Sequence, residues 1–520
     1  MFKRHSLLLM MVLGLLLVLG ACAGAPQPET EQPAGGEQAN QVKDTMIVAK
    51  QSDPSSLDPH LASDEAAIRC IENMYNTLLT YTDGYGEVAP SLAKSYEVSD
   101  DNLTYTLHLI QGVKFHSGRV MTADDVVYSI ERIKNEGVRA SHFEKVASVE
   151  AADDHTVVIT LSEPFAPFAT YLAHPCNVIV DQDAVEANGG KLTNADGGTG
   201  PFMLEKWDVG TQLSLTKFAD YWEAGKPVMN HLVFRTIADS TARSTALRNG
   251  EVDMIIDVTE QEIAVLKNAE GVVVESVPGT FWEYLGMNCE HQYLDNVKVR
   301  QALANAIDRD AINAAVKMGN AEVLHVANLP STHEAYADLN IYPARDLEKA
   351  KNLLAEAGYQ AGEINLELLV GSDWQYQVDA AQMIKAQAAE AGITIAISAL
   401  ESGIFFDNLN NGAFDLTVVG WSGFVDMDEY FYNLFRSDGA YNQQNYTNPE
   451  LDRLLDQGRT TLDHAARLDI YQQIQQIVAE DAPMAFLYMN NYTVAMRDNV
   501  QNYIVHPTAA TIWLKDVSFK

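Results

Sequence analysis

Residues 364–421 read INLELLVGSDWQYQVDAAQMIKAQAAEAGITIAISALESGIFFDNLNNGAFDLTVVGW. The runs INLELLV (364–370), ITIAISAL (393–400) and FDLTVVGW (414–421) alternate with segments near 378–391 and 403–410 that read as helices. Strands buried on both faces of a parallel sheet need near-continuous apolar runs of this kind. The alternation therefore predicts βαβ units, a mixed or parallel sheet and an α/β fold. Open sheets of this class take ligands at the loops beyond the carboxyl ends of their strands. GSDWQYQ (371–377) and GWSGFVDMDE (420–429) both follow strands, and both are candidates for one cleft.

Local signals elsewhere are consistent with the same class. TMIVAK (45–50), TYTLHL (104–109) and VVITL (157–161) read as strands. Thr122 with Asp125 forms a capping box that opens a helix through VVYSIERI. Val299, Ala302, Leu303, Ala306 and Ile307 fall at helical spacing and predict one amphipathic helix over 297–318. Asp346 caps LEKAKNLLAEA, which Gly358 ends, and Asn448 and Pro449 suit the N-cap and first helical position of ELDRLLDQ. Ile470, Ile474, Ile477 and Val478 mark one further helix.

The chain has 520 residues, enough for two or more lobes, with 71 acidic against 35 basic side chains and a net charge of −36. Such a field repels phosphate backbones and argues against nucleic acid as a partner. At the N-terminus, Lys3, Arg4 and His5 precede the apolar run 7–19, which is too short to span a bilayer and reads as an export signal. It ends in LVLGAC, similar to a bacterial lipoprotein box, so residues 1–21 are expected to be removed and Cys22 lipidated. Residues 22–43 carry no aromatic side chain and read as a disordered tether. The remaining cysteines, Cys70, Cys176 and Cys289, form no close-spaced pair, so at most one bridge can form and no zinc site is indicated.

No reaction is legible. GWSG (420–423) is not a GxSxG nucleophile elbow, because its second glycine comes one residue early. His325 and His333 have no neighbouring third ligand, and GGTG (197–200) lacks the lysine of a phosphate-binding loop. A secreted hydrolase working through scattered carboxylates stays as a low-ranked alternative.

Six blocks then carry a resemblance: residues 95–132 (SYEVSDDNLTYTLHLIQGVKFHSGRVMTADDVVYSIER), GTGPFMLEKW (198–207), LRNGEVDMI (247–255), LDNVKVRQALANAIDR (294–309), AKNLLAEAGY (350–359) and NYTNPELDRLL (445–455). In this order they are similar to the extracytoplasmic solute-binding proteins of the peptide and nickel ABC-importer family. The resemblance implies a two-lobed periplasmic-binding-protein-like fold of type II, with an extra subdomain in the first lobe and the ligand cleft between lobes. It places hinge crossings near 278–288 and 482–490, a first lobe of 44–283 plus 486–520 and a second lobe of 284–485. It implies no enzymatic activity, no cofactor and no metal. The expected partners are a small-molecule ligand and the permease and ATPase subunits of an importer. The protein is expected to act as a monomer, held to the membrane through its lipid anchor alone.

In the dipeptide- and oligopeptide-binding branches, the loop after the Gly-Trp pair carries an aspartate that binds the peptide ammonium. Aligned without gaps from Gly420 and Trp421, that position is Phe424, with Asp426 as a possible substitute. Asp428 and Glu429 read as capping or solvated acids. Some dipeptide binders clamp the ligand carboxylate with an arginine in the loop matching GSDWQYQ, but no arginine stands between Arg345 and Arg436. Both end-clamps are therefore missing, which favours peptides longer than dipeptides.

Candidate contacts are Trp374, Tyr376, Trp421, Ser422 and Phe424 from the two loops, Trp282 and Tyr284 from the hinge, and Ser63, Asp64, Tyr441 and Asn442. For the aromatics the alternative is core packing, and Trp282 and Tyr284 share one face of a strand and so one fate. For Ser63 and Asp64 the alternative is a helix N-cap. Oligosaccharides stacked on the aromatics are the second ligand class, and a nickel or other metal complex the third. A ligand sensor or surface chaperone would read the same way.

Overall fold

The computed structural model describes residues 43–83 and 88–520, so the signal and Cys22 lie outside the described residues. Its spine is one eleven-stranded mixed sheet. Asn365–Gly371 pairs in parallel with both Thr394–Leu400 and Leu416–Ser422, and the helices Gln375–Ala391 and Ser402–Asn410 make the crossovers. The βαβ reading of 364–421 holds element by element. At the other end of the sheet Thr45–Lys50 runs parallel to His231–Thr236 and to Met254–Ile255.

Two long antiparallel strands, Val272–Met287 and Met484–Arg497, join these ends. Val272–Pro278 pairs with Arg497–Asn491, and the register then breaks before Trp282 resumes opposite Met489. The local sequence accounts for the break. Pro278 has no amide hydrogen to give the ladder. A Cβ on Gly279 would stand 2.7 Å from the carbonyl oxygen of Asn490, so only glycine lets the strands come this close.

Separate apolar clusters lie on either side of this break. One gathers Met46, Val48, Phe202, Phe234 and Val494. A second fills a four-stranded antiparallel subdomain, Ala93–Val98, Thr104–Leu109, Thr156–Leu161 and Val146–Asp153, covered by the helix Ala123–Glu136. Beyond the break, one cluster centres on Leu303, Leu368, Ile384 and Val418, and another on Trp282, Tyr430, Tyr471 and Phe486.

The caps at Thr122–Asp125, Asp346 and Asn448 form as expected, and Gly358 follows its helix at φ +90°. The single helix expected over 297–318 is instead two, Val297–Ala306 and Arg309–Val316. Ile307 is extended, and the Asp308 carboxylate accepts the Ala311 amide hydrogen at 2.9 Å, opening a second helix. An N-cap inside an apolar repeat overrode the repeat. Cys70, Cys176 and Cys289 are all unbonded.

Candidate ligand-binding cleft

A cavity of about 420 Å³ opens between residues from the two sides of the strand break. Helix Glu65–Met74 lays Arg69 and Glu72 along one wall, with Ser63 ahead of its start. Arg139 and His142 follow from the turn that contains the 3₁₀ helix Ala140–Phe143, and His174 lies beside them. The opposite wall is the end of strand Leu416–Ser422, with Trp421 and Ser422, and the segment after it, with Phe424 and Glu429, and Tyr441 lies beyond.

The loop that carries this wall is held from behind. A Cβ on Gly423 would meet the Tyr430 ring at 2.6 Å, so the chain can turn over that ring only as glycine. Asp426 is 5% exposed and takes both of its hydrogen bonds to a cation from the Arg467 guanidinium, at 2.8 and 2.6 Å. Asp428 is held likewise by Arg459 at 2.8 Å. With these acids committed to arginines, Phe424 packs against His174, ring centroids 4.4 Å apart, and Trp421 against Tyr441 at 4.5 Å.

Of the residues singled out from sequence, Ser63, Trp421, Ser422, Phe424 and Tyr441 line the cavity together. The others are placed elsewhere, each for a visible reason. Asp64 caps helix Glu65–Met74, accepting the Ala67 amide at 2.9 Å. Trp282 is fully buried and stacked on Tyr430 at 5.0 Å, and Tyr284 lies in the same apolar cluster, so the two do share one fate, as core. Trp374 packs edge-on to Phe405 and Phe406. Tyr376 lies beneath the Lys317 ammonium, and Asn442 spends its amide on the carbonyls of Arg436 and Tyr446. Asp426 faces Arg467 and not the cavity.

Asp428 and Glu429, both expected from sequence to lie outside, line the cleft instead, and Glu429 is the one of the two not paired with an arginine. The Glu429 carboxylate accepts the Phe424 amide hydrogen at 2.9 Å. Burial, with the nearby Asp426 and Asp428 charges, pushes its carboxyl up to about 8. His174 is kept neutral by burial and by the positive charge of its surroundings. Arg69, Glu72, Arg139, His142 and His174 carried no sequence signal of their own, because they come from separate elements that meet only in the folded chain.

The comparisons with known proteins bear on this cleft. The profile of the bacterial extracellular solute-binding proteins, family 5 Middle, matches residues 87–443. The chain belongs to that family. This family 5 protein is 31% identical to the dipeptide-binding protein of Escherichia coli K12, over 89% of its own length and 92% of the relative's. Its fold resembles HbpA2 from Haemophilus parasuis, with a TM-score of 0.85 and 30% identity, covering 92% of this chain and 100% of that one. It also resembles DppA of Helicobacter pylori in complex with the peptide STSA, with a TM-score of 0.74 and 29% identity over 92% of this chain and 98% of the other. The architecture is thus the two-lobed α/β arrangement of family 5 solute-binding proteins, which are extracytoplasmic. Among the described residues no helix is long and apolar enough to cross a membrane.

Proposed function

We propose that this protein captures peptides longer than dipeptides between its lobes and delivers them to the permease of an ABC importer. The observation that carries the reading is the composition of the cleft wall after Trp421. The family resemblance calls for an ammonium-binding aspartate there, Phe424 occupies the position, and Asp426 is engaged by Arg467. A wall of Trp421, Phe424 and Tyr441 offers area and shape and no fixed clamp for a peptide amine, which suits ligands bound through backbone and tolerant side-chain contacts. Relatives named for dipeptide binding and complexed with STSA support the peptide class. The protein performs no catalysis in this reading. The lobes divide at the register break of the two long strands, near 279–281 and 490–491.

Thermal unfolding of the soluble body against di- to hexapeptides and α- and β-linked oligosaccharides tests this. At a hundred times its Kd a ligand adds about 2.7 kcal/mol, a shift of a few degrees. Stabilisation by peptides of three or more residues, exceeding that by dipeptides, is expected. Stabilisation by oligosaccharides alone would overturn the peptide reading and assign the aromatic wall to sugar stacking.

The anchor is proposed at Cys22, from the lipoprotein box alone. Cys22→Ser is expected to move the full-length protein from the membrane fraction to the soluble fraction, because acyl chains at roughly 0.8 kcal/mol per buried CH₂ would be lost. Retention of the variant on membranes would refute the anchor.

A further inference from the structure

Among the described residues the cleft holds an arginine, Arg139, that forms no ion pair with a carboxylate. Other arginines around it are paired: Arg69 with Glu65, Arg459 with Asp428, Arg467 with Asp426. Arg139 enters no ion pair among the described residues, its buried Nε–H has no acceptor, and the one side-chain hydrogen bond its guanidinium makes goes to the Cys176 sulfur. The group beside it is the Cys176 thiol, a weak acceptor for a guanidinium with five donors. Glu429, which faces Arg139 across the cavity, is pushed up to about 8 by burial and by the Asp426 and Asp428 charges, so it is largely protonated near neutral pH and gives Arg139 no full counter-charge.

A second donor stands next to it. Asn177 Nδ2 donates to the Tyr171 carbonyl at 2.7 Å, which identifies that atom as the amide nitrogen, and it also donates to His142 Nδ1 at 2.9 Å. His142 Nδ1 is therefore an acceptor, and in the neutral ring the proton sits on Nε2. The His142 backbone amide bonds to the Arg139 carbonyl at 2.9 Å. In a 3₁₀ turn side chains three apart eclipse, so Arg139 and His142 lie over one another on one face. Both line the cavity.

We infer that Arg139 and the Nε2–H of His142 form an anion-reading corner of the cleft, and that the group it takes is a carboxylate of the bound peptide. This rests on the peptide reading above. A guanidinium matches a carboxylate with paired hydrogen bonds, and the ligand would supply the counter-charge the protein withholds. The arginine missing from 371–377 would thus be replaced from the opposite lobe. The carboxylate can belong to the peptide C-terminus or to an acidic side chain.

Calorimetric titration separates the cases, with Ser-Thr-Ser-Ala as free acid, the same peptide as C-terminal amide, and Ser-Thr-Asp-Ala amide as probes. Wild type is expected to bind the free acid about tenfold to a hundredfold more tightly than the amide, the value of a charge-assisted pair. Arg139→Gln should reduce this ratio to within about threefold, and Arg139→Lys should restore part of it. If Ser-Thr-Asp-Ala amide regains the affinity in wild type and loses it in Arg139→Gln, the corner reads the side-chain carboxylate. Equal binding of free acid and both amides by wild type would overturn the inference and leave peptide binding intact, as would discrimination that survives Arg139→Gln. Failure of wild type to bind any of the three, or the peptides of the thermal panel, would remove both readings together. Melting temperatures of the variants within about 2 °C of wild type would show that the fold is kept.

Discussion

Arg467→Met is expected to lower the free energy of unfolding by about 3–5 kcal/mol in denaturant melts at pH 7, a large part of the roughly 5–15 kcal/mol typical of a folded domain. The loss comes from what is left behind. Asp426 is 5% exposed, and without the guanidinium its carboxylate keeps the Asp428 amide hydrogen at 2.8 Å but loses both charged donors. Removing both partners, in Asp426→Leu with Arg467→Met, removes the stranded charge and is expected to recover much of the stability.

The pH dependence carries a sign. Burial alone would raise the Asp426 carboxyl, but the Arg467 charge and hydrogen bonds outweigh it and hold the group below the ordinary aspartate value. A depressed acid contributes stability above its unfolded value, about 4, and that contribution is lost as pH falls through the folded value. In Arg467→Met burial outweighs the remaining hydrogen bond from the Asp428 amide, so the carboxyl takes up a proton in weak acid. The gap between wild type and variant should therefore narrow from pH 7 to pH 4.5. A loss under 1 kcal/mol, or a gap that does not change with pH, would show that this pair does not hold the loop.

Trp421→Ala is expected to act on binding where Arg467→Met acts on folding. Central aromatic contacts contribute about 2–4 kcal/mol on truncation, so affinity for the tightest peptide of the thermal panel should fall roughly 30-fold to 1,000-fold. Trp421 is half-buried and packs on Tyr441, which is itself 44% exposed, so stability should change little by comparison. Trp282→Ala provides the contrast. That ring is fully buried on Tyr430, and its loss should cost about 3–5 kcal/mol of stability. A folded Trp421→Ala protein with wild-type affinity would take the loop out of the binding site.

The fold was largely legible because its signals are local. The strands of 364–421 are buried on both faces and so read as apolar runs, and the caps at Asp346 and Asn448 sit next to the helices they open. Where local signals competed, at Ile307–Asp308, periodicity gave the wrong length. The cleft was legible mainly along one loop, with Ser63 and Tyr441 as outlying matches. Trp421, Ser422 and Phe424 could be found because they stand where a strand gives way to a loop, but the fate of Asp426 depends on Arg467, 41 residues later. Arg139 and Glu429 meet across the break in the long strands, and nothing in their own neighbourhoods marks either one.

The two guanidinium–carboxylate pairs behind the loop have a consequence for selectivity. Asp426 and Asp428 are spent on Arg467 and Arg459, so the Trp421–Glu429 wall is already in place when the cleft is empty. Ordering a side chain on binding costs about 0.5–1.5 kcal/mol, and a wall ordered in advance by the core avoids that cost for every ligand alike. A preorganised surface of this kind does not remould itself to its guest. Tolerance for varied peptides must then reside in the space and water around them, and differences in affinity among ligands should follow shape mismatch and trapped solvent more than loop rearrangement.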